Sequence, residues 1–283
     1  MANVSKADIV FEPFPHLVIK DCLNKEVYDL LSQRYPDLDS LPTYDGAKGD
    51  ENIRVKRITD DIINCPNIPL DKKWIEFFDY HCSKDFWIEL VNIFEDQLRE
   101  IYPDLEKRFK KSYKDLSVSV FQRHKDNDNA NLYFDHDIGV NTTSTKKSSV
   151  RGPHIDNLHK IFGGLIYFRI DEDSTQGGDL DLYAWKGDRN FNAENIYYDI
   201  NTEYLQKIKT IQYSQNTAVL WINSPDAVHG VSPREPSSHL RRLIYFSARI
   251  NPKVAKKNLF PELIPSKPNI LKKLAKKVKR MIR

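Results

Sequence analysis

The apolar positions fall into two regimes. Over the first third of the chain they recur at helical spacing, and from Ser117 onward they gather into short runs separated by polar turns. Val27, Leu30 and Leu31 share the 3-and-4 spacing of one buried face, which predicts a helix from Asn24 to Arg34 that Pro36 helps to stop. A longer helix is predicted from Lys84 to Ile101, with Trp87, Leu90, Val91, Phe94, Leu98 and Ile101 as its stripe and Tyr102-Pro103 as its end. Ahead of both, Ile9 to Ile19 reads as a short extended segment broken by Pro13 and Pro15, and between them Asp39 to Asn67 reads as polar loop.

The later runs are strand-like: Ser117–Phe121, Gly163–Ile170, Leu180–Trp185 behind a Gly177-Gly178-Asp179 turn, Thr217–Ile222 and Arg241–Ile250. Turn residues between them predict an antiparallel barrel or sandwich, so the fold class is α+β with a mainly β core braced by helices. Asp126 to Ser149, rich in Asn, Asp, Ser and Thr, is expected to be a loop or lid. The organisation follows: supporting segment and helices over 1–116, β core over 117–252, and a C-terminal extension over 253–283, in one structural domain.

Composition narrows the class. Of 283 residues, 40% are apolar and 11% aromatic, enough for a sizeable core. No apolar run approaches the roughly eighteen residues of a membrane span, and Met1 to Lys20 lacks the pattern of a signal peptide. Cys22, Cys65 and Cys82 are far apart, which argues against a disulfide framework or a structural zinc site and leads to the expectation of a cytoplasmic protein. The net charge is +3, but Leu271 to Arg283 carry seven Lys or Arg and no acid, and 3 − 7 leaves the rest at −4. The body is therefore not expected to bind nucleic acid. In the tail, Leu271, Leu274, Ala275, Val278, Met281 and Ile282 form one helical face among basic residues. Such a helix suits an anionic membrane surface or a protein partner, or packs back on the domain.

The chemistry gathers around Gly152-Pro153-His154-Ile155-Asp156. In extended chain, residues i and i+2 point the same way, so His154 and Asp156 can offer adjacent ligands to one ion. His229 follows the apolar run to Ile222 after a short turn and supplies a second imidazole. Two histidines and one carboxylate on one face, with three positions open, is the donor set of non-haem iron oxygenases. A second H-x-D, His124-Lys125-Asp126, sits among charged and amide residues and reads as solvated loop. Twelve residues after His229, Arg241-Arg242 opens another strand, and an arginine there can clamp the far carboxylate of a dicarboxylic co-substrate. Arg241 is preferred because it shares an inner face with Leu243, Tyr245 and Ser247; Arg242 is the alternative. Asp179 and Asp181 read as half-exposed strand residues, and His16, His136, His159 and His239 as surface or structural histidines.

From about Phe121 to Ile250 the chain resembles the catalytic core of the 2-oxoglutarate/Fe(II) dioxygenases, in particular the prolyl-4-hydroxylase-like branch. The resemblance is carried by Gly152 to Asp156 as first metal motif, Leu165-Ile166-Tyr167-Phe168 as the following strand, Gly177-Gly178-Asp179-Leu180 as the Gly-Gly-acid turn and His229-Gly230-Val231 as second metal motif. Pro13 to Ile19 is similar to the branch's N-terminal segment. The resemblance implies a double-stranded β-helix of the jelly-roll or cupin-like kind, with Fe(II) on His154, Asp156 and His229. It also implies 2-oxoglutarate and O2 as co-substrates, ascorbate as an optional reductant, and Tyr167 bonding the co-substrate carboxylate. With Asp156 present, the implied reaction is hydroxylation rather than halogenation, releasing succinate and CO2. The polar Asp126 to Ser149 segment suits a polar small molecule, a sugar or a peptidyl substrate. The rival reading is a non-catalytic sugar- or ligand-binding barrel docked through its basic tail. A zinc hydrolase on the same ligands lacks an evident general base.

Overall fold

A computed structural model describes residues 4–37, 52–58, 70–121, 129–189, 199–251 and 259–260. Strand β1 (His16–Lys20) leads to helix α1 (Lys25–Gln33), capped by the Asn24 side chain, which accepts from the Glu26 N–H. Strand β2 (Arg54–Ile58) follows, then α2 (Lys72–His81), α3 (Lys84–Ile101) and the short α4 (Leu105–Phe109). The β core comprises β3 (Val118–Val120), β4 (Leu132–Phe134), β5 (Asp137–Asn141), β6 (Lys160–Tyr167), β7 (Leu180–Trp185), β8 (Leu205–Ile211), β9 (Thr217–Ile222), β10 (Val228–Val231) and β11 (Arg241–Ile250).

The strands make two facing sheets. In the larger, β1, β9, β6 and β11 follow in order, with β5 and β4 both pairing β11, β2 beside β5 and β3 beside β4. In the smaller, β10, β7 and β8 are joined by the 151–156 segment, whose His154 bridges His229. From β5 the chain passes to this segment, back to β6, across to β7 and β8, back to β9, across to β10 and back to β11. Eight strands alternating between two antiparallel sheets in this way form the double-stranded β-helix.

Both faces of β6, β9 and β11, at the centre of the larger sheet, are largely buried, which explains why these strands read as continuous apolar runs. Ile166, Leu220, Ile244 and Phe246 face the helices, where Trp87, Leu90, Val91 and Phe94 of α3 meet them. Leu165, Tyr167, Val219, Trp221 and Leu243 face inward, toward Leu180 and Leu182 of the smaller sheet. Among the described residues, no helix is long and apolar enough to cross a membrane.

The α3 boundaries are those the periodicity predicts. Elsewhere the structure differs. In α1 it is Tyr28, with Leu31, that is buried, and Val27 is 45% exposed, because the helix is short enough for one aromatic ring stacked on Phe168 to set its rotation. The loop expected over Asp39 to Asn67 contains β2, which pairs along β5. The Asp126 to Ser149 segment expected to be loop contains β4 and β5, both wholly buried, so these two stretches are neither loop nor lid. Its polar residues are there because one face of β5 lines the barrel interior, while Ile138 and Val140 alternate into the helix-side core. Asp181 is buried, accepting from Thr210 Oγ1, rather than half-exposed. Helix α2 and strand β8 carry no sequence expectation. His124 to Asp126, Cys65 and the 271–283 tail lie outside the described residues.

His81 and His136 sit in an aromatic cage with Phe77, Phe86 and Phe246. Burial pushes them down to about 3 and about 4 respectively. Below pH 6.5 the unfolded chain takes up protons that these folded rings refuse, so stability falls as pH drops toward 4 and is indifferent to them above 6.5. Urea titrations between pH 5.5 and 4.5 should show about 1.4 kcal/mol lost per pH unit for each ring, with His136→Asn removing about one such increment. Phe94→Ala, which opens a cavity under the larger sheet, should cost about 3–5 kcal/mol in the same assay at pH 7.5.

Candidate metal centre

The centre is built by backbone pairing. His154 N–H donates to His229 C=O at 2.8 Å and His229 N–H to His154 C=O at 3.0 Å, so the two histidines sit opposite each other on neighbouring strands. Their rings lie 4.3 Å apart between centroids. The strands approach closely here because Gly230 has no side chain: a Cβ on it would come within 2.9 Å of Pro153 N. Asp156, two residues on, completes a cluster whose ligand atoms all lie within 4.8 Å of one another.

Each imidazole is oriented by its own strand. His154 Nδ1 lies 2.8 Å from Gly152 C=O and His229 Nδ1 lies 2.9 Å from Ala227 C=O. A carbonyl only accepts, so both Nδ1 atoms carry hydrogen and both Nε2 lone pairs are free for an ion. Burial pushes both imidazoles below their ordinary range, keeping them neutral. Burial pushes the Asp156 carboxyl up, but the positive charges around it, Lys160 foremost, more than reverse this and hold it well below the usual carboxylate range. Two neutral imidazoles and one ionised carboxylate, with no cysteine in the cluster, fit a borderline divalent ion such as Fe(II). Trp221 packs its ring 4.7 Å from that of His229.

The cluster opens into a cavity of about 520 Å³ between the two sheets. Arg241, 2% exposed, reaches into it. Its Nε donates to Gly178 C=O at 2.6 Å and its Nη1 to Asn141 Oδ1 at 2.9 Å, and its guanidinium lies 5.1 and 5.0 Å from the rings of Tyr167 and Tyr213. Among the described residues its Nη2 has no hydrogen-bond partner, and neither has the buried Tyr167 hydroxyl. Burial pushes the Tyr167 phenol up, so it stays a donor. A buried cation with an idle donor beside an idle hydroxyl is a cradle for one carboxylate. Because Nε is committed to Gly178, such a group is met by the terminal nitrogens. Arg242 lies on the other face of β11, over the Tyr35 ring and toward Ser32 of α1.

The structure thus gathers His154, Asp156, His229 and Arg241 around one cavity, packs Tyr167 against the Arg241 guanidinium, and leaves Arg242 outside the cavity. Sequence reasoning missed Asn141, Gly178 and Tyr213, which hold Arg241. Gly177 and Gly178 both adopt positive φ (82° and 74°), so the Gly-Gly turn is what presents the Gly178 carbonyl. For Asn141 a signal existed: Asp137-Ile138-Gly139-Val140-Asn141 alternates with period two. His16 and His136 are buried, His159 is exposed, and none of the three belongs to the cluster.

No family model matches the chain, and no curated protein matches it in sequence. Solved structures do match. A prolyl-4-hydroxylase from Pseudomonas putida is 11% identical, with TM-score 0.46, over 85% of this chain and 95% of that one. A prolyl hydroxylase from Trichoplax adhaerens, in complex with a hypoxia inducible factor oxygen degradation domain peptide fragment, is 12% identical, with TM-score 0.47, over 87% and 88%. An oxidoreductase of the 2OG-Fe(II) oxygenase family from Burkholderia pseudomallei is 11% identical, with TM-score 0.41, over 86% and 88%. The strand pairings, rather than this likeness, establish the fold.

Replacing one ligand tests the cluster directly. His154→Ala or His229→Ala should weaken Mn(II) binding at least about a hundredfold, the upper end of what losing an outer partner alone costs. Titration followed by Mn(II) paramagnetic resonance, with circular dichroism as the fold control, reads this.

Proposed function

We propose that this chain is an Fe(II)- and 2-oxoglutarate-dependent oxygenase that hydroxylates an unactivated C–H bond of a polar small-molecule, sugar or peptidyl substrate. The observation that carries the reading is one cavity with two kinds of group facing it: the free Nε2 lone pairs and the Asp156 carboxylate at one end, and at the other the idle Arg241 Nη2, whose guanidinium packs on the ring of Tyr167 with its idle phenol. The lone pairs and carboxylate suit a metal. The Arg241–Tyr167 cradle suits the distal carboxylate of a dicarboxylate that also reaches that metal. A ligand-binding barrel has no use for this pairing.

When bound, metal and co-substrate together supply oxygen activation, coupled to decarboxylation of the keto acid to succinate and CO2. The chain's own contribution is orientation and dryness. His154 and His229 are fixed by their Nδ1–H bonds to Gly152 and Ala227, so neither ring needs to reorient to offer Nε2. Asp156 would offset part of the ion's charge. Asn141 and Gly178 hold the Arg241 guanidinium edge-on to the cavity, and Tyr213 stacks beside it. Leu165, Leu180 and Leu243 wall the space between cradle and cluster, excluding water and strengthening the Arg241 charge pair.

Anaerobic addition of Fe(II) and 2-oxoglutarate should produce the visible charge-transfer band of a chelated keto acid, and titrating that band gives the co-substrate affinity. Arg241→Ala should weaken it roughly ten- to a hundredfold, the worth of a hydrogen bond to a charged group. Arg242→Ala should change it by less than about twofold, since it loses no such contact. A folded wild-type protein without the band would sink the oxygenase reading.

A further inference from the structure

We propose that Trp221 is a further binding residue of this site, its indole N–H donating to the carboxylate by which a 2-oxo acid co-substrate is held at the metal; this rests on the oxygenase reading and deepens it. The chain has four tryptophans, which serve as controls for one another. Trp74, Trp87 and Trp185 each donate Nε1–H to a backbone carbonyl, those of Arg34, Tyr113 and Pro225, at 2.8, 2.7 and 3.0 Å. Trp221 is 2% exposed, and among the described residues its Nε1 has no hydrogen-bond partner. Of the four, Trp221 alone lines the cavity. An indole nitrogen donates and never accepts, so burying it idle costs stability until an acceptor arrives.

Position identifies that acceptor. On the inner face of the paired strands β6 and β9, Tyr167 stands opposite Thr217, Leu165 opposite Val219 and Gly163 opposite Trp221. The row runs from Tyr167, packed on the Arg241 guanidinium, to Trp221, whose ring lies 4.7 Å from that of His229. A dicarboxylate that reaches from Arg241 to the ion follows this row past Leu165, so its metal-binding end arrives beside the indole. Gly163 provides the seat: a Cβ on it would stand 2.8 Å from Trp221 Cε2 and 2.9 Å from Cζ2 and Nε1, so the nitrogen-bearing side of the ring rests where a side chain is missing. The neighbouring imidazole offers the indole nothing. His229 Nδ1 is committed to the Ala227 carbonyl, and its Nε2 lone pair is the one that suits the ion. What remains is an oxygen of the ligand that shares the ion with His229. Of the oxygens a 2-oxo acid presents there, the carboxylate is the stronger acceptor. Packing alone asks nothing of the indole nitrogen, so a test that changes only that atom separates the two roles.

The indole N–H signals in proton–nitrogen correlation spectra of the intact chain, loaded with Zn(II) as a diamagnetic ion, read the bond directly, and Trp221→Phe assigns the signal of interest. Adding 2-oxoglutarate should move the Trp221 proton downfield and slow its exchange with solvent, while the signals of Trp74, Trp87 and Trp185 stay in place. Replacing Trp221 by benzothienylalanine puts sulfur where the N–H was in a ring of the same shape. That variant should bind 2-oxoglutarate at least about tenfold more weakly, with Mn(II) affinity and circular dichroism unchanged. A Trp221 signal indifferent to 2-oxoglutarate, or a benzothienyl variant that binds it as tightly as the wild type, would overturn the inference. The anaerobic Fe(II) band separates the two ideas: band present with an unmoved indole removes only the role of Trp221, whereas absence of the band from folded protein removes both.

Discussion

The structure turns on one pair of backbone hydrogen bonds, those exchanged between His154 and His229. They attach the 151–156 segment to β10 and so complete the smaller sheet of the double-stranded β-helix. The same register sets the two imidazoles side by side and, through the period of two, sends Asp156 to the same side as His154. Fold closure and ligand placement are thus one event. Close approach at Gly230 allows it, and the Nδ1 bonds to Gly152 and Ala227 fix the outcome at the level of single nitrogen atoms.

Arg241 is the second constraint, of the opposite kind. A guanidinium at 2% exposure is expensive to bury, and four of its neighbours reduce that cost: the Gly178 carbonyl, Asn141 Oδ1 and the faces of two tyrosines. None of these is a carboxylate. Among the contacts described, the charge therefore has hydrogen bonds without a counter-ion, which is the state a site built to receive an anion should show. Tyr167, buried with an idle hydroxyl on the next strand, points to the same occupant.

Much of this was legible in the chain. His154-x-Asp156, His229 and Arg241 could be read because strand period and turn spacing translate directly into sidedness, and α3 because its stripe is long and unbroken. What was not read were strands whose polar residues face the interior. Strand β5 looked like loop since Asp137 and Asn141 break the apolar pattern, yet Asn141 is polar because it holds Arg241. Val27 misled in α1 because propensity says nothing about which of two adjacent apolar residues finds a ring to stack on. The carbonyl of Gly178 is invisible to any reading by side-chain type. In each case the missing information was tertiary: which groups a buried polar residue would meet.

The central claim is that one cavity holds a metal and a dicarboxylate at fixed ends. A crystal structure of the protein prepared anaerobically with Mn(II) and 2-oxoglutarate tests it most directly. The account predicts an ion roughly 2.0 to 2.2 Å from His154 Nε2, His229 Nε2 and an Asp156 oxygen. It also predicts the distal carboxylate of 2-oxoglutarate within hydrogen-bond distance of Arg241 Nη2 and Tyr167 Oη. An ion held elsewhere, or a co-substrate whose distal carboxylate does not touch Arg241, would contradict it.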